Sequence, residues 1–338
     1  MSMSLSVIRP GLLTTVQDLG RPGYRHAGVP LGGALDALAL RVANLLVGNE
    51  AGEAGLEITL AGPTVRFEAP HLLALAGADL SATLDGRPLP LHRPVAARPG
   101  AVLAFGAARA GCRAYLAVAG GLGVPAVLGS RATLLRAALG GWHGRALQAS
   151  DLLPAPGLPA RLAAWHRQLL AAAPTASWAT TRYLPAPALR PPLPASLVLR
   201  AVPGPEYGEF DDASRQAFWQ QPFRITPAAD RMGCRLAGPA LARPGGAELL
   251  SSAVAPGTVQ VPPGGQPIVL LADCQTTGGY PRLAHVVSAD LGLLAQARPG
   301  AMLRFRPVAL AEAQALYLAQ EAALRQLAVA VRTLRTCA

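Results

Sequence analysis

The apolar residues of this chain come in short runs that Gly, Pro or Asp interrupt roughly every eight to twelve residues, and this punctuation limits the fold more than any other feature. "LEITLAGPTVRF" (56–67), "LSATLDGRPLPL" (80–91), "AVLAFG" (101–106) and "CRAYLAVAGG" (112–121) show the pattern. Asp85-Gly86 between apolar flanks is a hairpin signal. The pattern predicts antiparallel barrels or sandwiches and argues against a doubly wound sheet. Two stretches depart from it. "GALDALALRVANLLV" (33–47) carries apolar residues at helical spacing and is closed by Gly48, and residues 308–336, rich in Ala, Leu, Glu and Gln, read as a long helix. The apolar stripe of that tail fits a cap on its own barrel better than a helix for a partner.

Three signals occur twice in the same order. "LAGP" (60–63), "HLLALAGAD" (71–79) and "ARPGAVLAF" (97–105) are answered by "LAGP" (236–239), "PIVLLADC" (267–274) and "ARPGAMLRF" (297–305). With 338 residues available, duplicated domains follow. Residues 151–196, rich in Pro and Ala, read as a linker with one short helix around Ala160 to Ala172. The expected organisation is a β domain over 1–150, this linker, a second β domain over 197–307, and a C-terminal helix over 308–338.

A hydrophobic fraction of 51% and a mean hydropathy of +0.31 rest heavily on alanine. No stretch of about 18 uncharged, strongly apolar residues appears, and "MSMSLSVIRPG" has no basic segment leading into an apolar core. A soluble cytoplasmic protein, without membrane contact, is expected. The net charge of +11 does not make a nucleic-acid binder, because the arginines are scattered as singles and aromatics are only 5%. All 30 basic residues are arginine, which excludes a Walker A lysine, a lysine Schiff base and biotin carried on a lysine of this chain. Cys112, Cys234, Cys274 and Cys337 have no CxxC spacing, and the six histidines form no HxH or HExxH pattern, so no metal site is expected.

Several polar clusters are candidates for chemistry. "VAGGLGVP" (118–125) lacks the order and acidic partner of a nucleotide loop and reads as a tight turn. In "GSRATLLRAALGG" (129–141), Ser130 and Arg131, with Thr133 and Arg136, either bind a carboxylate or phosphate or form a solvated turn. "TTVQDLGRPGYRHAGVPLGGALD" (14–36) holds five glycines among Gln17, Asp18, Arg21, Tyr24, Arg25, His26 and Asp36. The part from Gln17 to His26 is a candidate lid, with Arg21 and His26 as binding residues, although Asp18 and Arg21 can simply pair at the surface. In "DRMGCRLAGP" (230–239), Asp230 either orients Arg231 and Arg235 toward a planar anion or closes a turn.

The densest cluster is "QPIVLLADCQTTGGYP" (266–281), in which an apolar strand ends in an acid, a thiol, an amide, two hydroxyls, two glycines and a phenol. Gln275, Thr276 and Thr277 offer donors and acceptors, and Gly278-Gly279 let backbone approach a ligand closely. The set suits a neutral planar amide, ureido or carboxylate group better than a polyphosphate. Asp273 is the candidate general base or arginine orienter, Tyr280 the candidate proton donor or ring platform, and Arg231 and Arg235 the candidate holders of a carboxylate or developing anion.

Taken in order, "VIRPGLLTTVQDLGRPGYRHAGVPLGGALD", "ANLLVGN", "LEITLAGPTVRF", "GSRATLLRAALGG", "DRMGCRLAGP", "VQVPPGGQPIVLLADCQTTGGYP" and "LGLLAQARPGAMLRF" closely resemble the allophanate hydrolase subunit 2-like, or KipA/PxpC, family of biotin-dependent carboxyltransferase-type proteins. The resemblance spans about residues 7 to 307. It implies a mainly β fold of two cyclophilin-like β-barrel domains with a few helices. It also implies a KipI/PxpB-like companion and, in the commonest bacterial setting, a PxpA-like one, in a hetero-oligomer that can itself be multiplied. The implied function is that of the PxpC-type component of an ATP-dependent 5-oxoprolinase that opens 5-oxo-L-proline to L-glutamate, a hydrolase acting on a cyclic amide. The alternatives are carboxyl transfer from carboxybiotin to urea or another amide, and a KipA-like regulator that binds a KipI-like kinase inhibitor. ATP, and any biotin, would then belong to partner chains. Cys274 stands where members usually carry a basic residue, which makes Arg282 a candidate replacement.

Overall fold

A computed structural model describes residues 4–193, 196–245 and 249–336. The chain divides into two compact units, Met1–Gly20 with Asp36–Pro192 and Glu321–Ala338, and Arg21–Leu35 with Leu193–Gln320.

The strands of the first unit are β1 (Ser4–Arg9), β2 (Leu13–Gln17), β3 (Gly55–Thr59), β4 (Thr64–Phe67), β5 (His71–Asp79), β6 (Thr83–Leu84), β7 (Arg87–Pro88), β8 (Val95–Ala97), β9 (Val102–Ala104), β10 (Ala110–Val118), β11 (Leu152–Pro154) and β12 (Trp178–Thr180). They form two six-stranded sheets in the orders β11-β1-β4-β9-β6-β7 and β12-β8-β5-β10-β3-β2. Alternation within strands sends Leu5, Val65, Phe67 and Leu103 from one sheet, and Val16, Leu56, Ile58, Leu73 and Leu116 from the other, into a common core. The predicted hairpin forms between β6 and β7, with Asp85 and Gly86 at φ 50° and 74°. Helix α1 (Ala37–Leu46) packs on β5 and β10; Asp36 caps it by accepting from the Ala39 N–H at 2.9 Å. Gly48, at φ 77°, ends it as the sequence predicts.

Residues 151–192 do more than connect. β11 and β12 extend the edges of the two sheets, and helix α2 (Ala160–Ala171) packs on β8 and buries Leu162, Trp165 and Leu170. Strands this short, on sheet edges where proline is tolerated, leave no alternation to read. Residues 194 and 195 of the same stretch lie outside those described.

The second unit contains β13 (Ser196–Pro203), β14 (Phe223–Ile225), β15 (Gly233–Ala237), β16 (Ser252–Ala253), β17 (Thr258–Gln260), β18 (Ile268–Leu270), β19 (Thr277–Gly278), β20 (Arg282–Val286) and β21 (Met302–Pro307). Among the described residues a closed barrel runs β13-β20-β17-β18-β15-β14-β21. Its seam is a parallel pairing of β13 with β21, from Ser196 opposite Met302 to Ala201 opposite Pro307, where the punctuation alone predicts antiparallel neighbours. Leu199, Phe223, Leu236, Val259, Val269, Leu283 and Phe305 fill the interior. Helix α3 (Asp212–Gln220) adds Phe218, stacked on Phe305 with ring centres 4.4 Å apart. The short α4 (Leu291–Ala295) supplies Leu294 to the same core.

The long C-terminal helix α5 (Leu310–Thr336) forms as expected, with Leu324, Leu327 and Val331 buried. Residues 337 and 338, and with them Cys337, lie outside those described. Cys112, Cys234 and Cys274 are buried and in no disulfide among the described residues. No helix among the described residues is long and apolar enough to cross a membrane.

Candidate functional site

The polar ending of the 266–281 stretch lies on the outside of the barrel. Val269 of β18 points into the core, and its neighbours Ile268 and Leu270 point outward by the alternation of a strand. After β18 the chain turns at Asp273 and returns as β19. There it pairs with β16, Ala253 opposite Thr277 and Ser252 opposite Gly278. The underside of this small two-stranded ladder, hairpin-like in shape although β17 and β18 separate its strands in sequence, rests on an apolar patch of Val254, Leu270 and Cys274 with Ile268 beside it. Thr277 on its other side is exposed.

A cross-strand row of outward residues lies alongside. Arg235 pairs with Ile268, Ile268 with Gln260, and Gln260 with Arg282, each across one strand boundary. Gln260 is 1% exposed and is the point where the site is tied to the barrel. Its amide donates to the Tyr280 carbonyl at 3.2 Å and accepts from Gln275 Nε2 at 3.4 Å. Gly278 is pressed against it, since a Cβ there would lie 2.7 Å from Gln260 Nε2. Sequence reasoning did not single out Gln260; the available signal was a polar residue at an outward position in the strand "TVQV".

Behind the hairpin, the turn after β18 is anchored electrostatically. Arg231 donates to Asp273 from Nε at 2.8 Å and from Nη2 at 3.0 Å, and to the Gly33 carbonyl at 2.6 Å. Both side chains are buried. The fully buried Arg21 lies against the same place: a Cβ on Gly32 would sit 3.0 Å from Arg21 Nη1 and 3.9 Å from Asp273 Oδ1. Gly32, at φ 67°, donates its N–H to the Ala272 carbonyl at 3.0 Å. Stretch 21–35 is therefore bonded to the turn that launches the site. Asp230 closes its own turn, accepting from the Met232 and Gly233 N–H groups at 2.8 and 3.0 Å.

Arg235 faces outward from β15 and is exposed, on the far side of Ile268 from Gln260, about 10 Å away at strand spacing. Arg231 and Arg235 thus lie apart, one engaged in the turn and one open on the barrel wall. Tyr280 is 46% exposed and, with Gly279 and Pro281, forms one side of a cleft of about 590 Å³ whose other walls include Phe210, Leu241 and Pro262. Arg282 is fully engaged: Glu206 accepts from its backbone N–H, Nε and Nη2 at 2.8, 2.9 and 2.6 Å, and its Nη1 reaches the Ala253 carbonyl at 3.3 Å. These bonds hold the Glu206 carboxyl below its ordinary range. Burial pushes the Cys274 thiol up to about 11, so it is protonated at neutral pH. The cation against it is Arg25, which also donates to the Val254 carbonyl. His26, next to Arg25, is exposed.

Ser130 and Arg131 belong to the first unit. There Asp18 gathers the Ser130 hydroxyl at 2.7 Å, the Arg131 N–H at 2.6 Å and the Gly20 N–H at 2.8 Å, while Arg131 Nε donates to the Val124 carbonyl at 3.0 Å. Asp18 thus bonds to this loop, where the sequence had suggested Arg21 as its partner.

Comparison with known proteins places these features. The model of the carboxyltransferase domain, subdomain A and B, matches residues 27–307. The C subunit of the Escherichia coli 5-oxoprolinase is 43% identical over 327 residues, covering 96% of this chain and 97% of that one. The urea amidolyase of Lachancea kluyveri is 31% identical over 347 residues, 96% of this chain but 18% of the longer protein. The crystal structure of the Kluyveromyces lactis urea amidolyase superposes with a TM-score of 0.85 at 28% identity, over 96% of this chain and 20% of that chain. With the barrel, the hairpin and a match over nearly all of its length, the chain belongs to the carboxyltransferase family built from subdomains A and B.

Proposed function

We propose that this chain is the PxpC-type component of a multi-subunit, ATP-dependent 5-oxoprolinase, and that it opens 5-oxo-L-proline to L-glutamate only in company with PxpA- and PxpB-like partners. One observation carries the reading: the similarity to the Escherichia coli 5-oxoprolinase component covers nearly the whole of both chains, whereas the same residues match less than a fifth of the urea amidolyase.

The substrate has a flat N–C=O unit and a carboxylate, and the hairpin offers complementary groups. With Gln275 Nε2 turned to Gln260, its Oε1 accepts the lactam N–H. The exposed Thr277 hydroxyl donates to the lactam carbonyl, and Thr276 and the Gly278-Gly279 backbone close the contact. Arg235 receives the carboxylate. Asp273, committed to Arg231, acts as the orienter of that arginine and not as a base. Tyr280 covers the ring or passes a proton to the opened nitrogen. Having no lysine, the chain leaves ATP and the activation of the carbonyl to a partner.

Co-purification with these partners, followed by ATP-dependent glutamate release, tests the proposal. Glutamate must appear with all chains present and vanish when this one is omitted. The second reading, carboxyl transfer to urea or another amide, is favoured by the urea amidolyase likeness. It predicts turnover only with a biotinylated carrier and no glutamate from 5-oxoproline.

A further inference from the structure

We infer that Arg25 is a positioning residue that fixes the amide-binding hairpin by bridging its two arms. The hairpin needs such a device. β16 and β19 share two residue pairs, Ser252 with Gly278 and Ala253 with Thr277, and a ladder this short is not stable in water by itself. Past its end the Val254 N–H donates to the Thr276 carbonyl at 3.1 Å, and there the backbone pairing stops. Arg25 takes over at that point. Its guanidinium donates to the Val254 carbonyl on one arm and lies against the Cys274 thiol on the other, the residue before Gln275.

A second guanidinium serves the same strand one residue earlier, Arg282 Nη1 on the Ala253 carbonyl at 3.3 Å. Arg282 is itself locked by Glu206 and makes a fixed post. Arg25 sits instead on a single 3-10 turn, Arg25–Ala27, which Gly28 ends at φ 77°. Residues 21–35 are thus coupled to the site at two places, through Gly32 and Gly33 at the Asp273 turn and through Arg25 at the open end of the hairpin. A planar fork can serve an oxygen and a sulfur at once, which the point charge of a lysine cannot reproduce.

The functional consequence rests on the 5-oxoprolinase reading, so the test has two arms. In the first, amide hydrogen exchange is measured on the full chain for wild type, Arg25→Ala and Arg25→Lys. Exchange at residues 252–254 and 274–278 rises about tenfold or more in both variants, with β17, β18 and β20 unchanged, and millimolar guanidinium ion restores protection to the alanine variant. Unchanged exchange in the hairpin, or a rise shared equally by the barrel strands, overturns the inference. In the second arm, the reconstituted complex carrying Arg25→Ala shows a KM for 5-oxoproline raised about tenfold with kcat altered less than about threefold, and guanidinium ion lowers that KM again. An unaltered KM overturns the link from clamp to substrate. If the wild-type complex does not turn over 5-oxoproline, the functional reading falls, and the exchange arm still decides the clamp.

Discussion

Arg231 and Asp273 form a two-pronged ion pair with both side chains buried, at 2.8 and 3.0 Å, tying the loop before β15 to the turn after β18. Removing the charge of one partner strands the other in a dry site. Asp273→Asn should therefore cost about 3–5 kcal/mol of folding stability, read as a lower urea midpoint. Asp273→Leu with Arg231→Met should cost clearly less than the two single changes added together, because each single change strands the other member of the pair. Simple additivity would contradict this account of the turn.

Gly278→Ala tests the close approach of the hairpin to the barrel. Its new methyl group would meet Gln260 Nε2 at 2.7 Å, pushing aside the amide that holds Gln275 and the Tyr280 carbonyl. The displaced atom ends a side chain, so the barrel survives. Activity of the complex should fall about tenfold or more with the melting temperature lowered by less than about 4 °C.

His71, on β5, is fully buried, neither ring nitrogen has a hydrogen-bond partner among the described residues, and its ring lies 5.6 Å from that of Phe67. Burial, with His166 adding in the same direction, lowers its pKa to about 4. The folded state therefore refuses a proton that the unfolded chain accepts near pH 6.5. The stability is whole above that pH and is lost as pH falls from 6.5 toward 4, by on the order of 3 kcal/mol for this residue. The urea midpoint should drop across that window, and His71→Leu should flatten the drop. An identical slope in the variant would exclude His71 as the cause.

Leu327 is 2% exposed on α5, between the buried Leu324 and Val331, and Arg41 holds the helix through Glu321, Nη2 to Oε2 at 2.7 Å. Leu327→Ala should cost about 2–4 kcal/mol. A cost below about 0.5 kcal/mol, the range of surface changes, would show that this stretch contributes no core.

Local rules were readable directly from the residues. Asp85-Gly86 makes its hairpin, Gly48 ends its helix, and the run into Leu270 is a strand because each answers to its immediate neighbours. The repeated "LAGP" has a packing reason instead: Gly62 packs on Phe105 and Gly238 on Phe223, each too closely for a side chain. What could not be read depends on closure and register. The seam of β13 with β21 joins residues far apart in sequence, and only that barrel places Gln260 beneath Gly278 and aligns Arg235 with Ile268. Arg25 is legible only as one polar residue of the 14–36 loop; nothing in the sequence names its role, because its partners at 254 and 274 become neighbours only when stretch 21–35 joins the second unit.

Gln275 and its hairpin are proposed to bind the amide that the complex opens. The most direct measurement is ATP-dependent glutamate release from 5-oxoproline by the reconstituted complex, with wild-type chain and with Gln275→Ala. Activity should require this chain and fall about a hundredfold or more in the variant, as for loss of a group that holds the reacting amide. Wild-type rates from Gln275→Ala in an intact complex would contradict it.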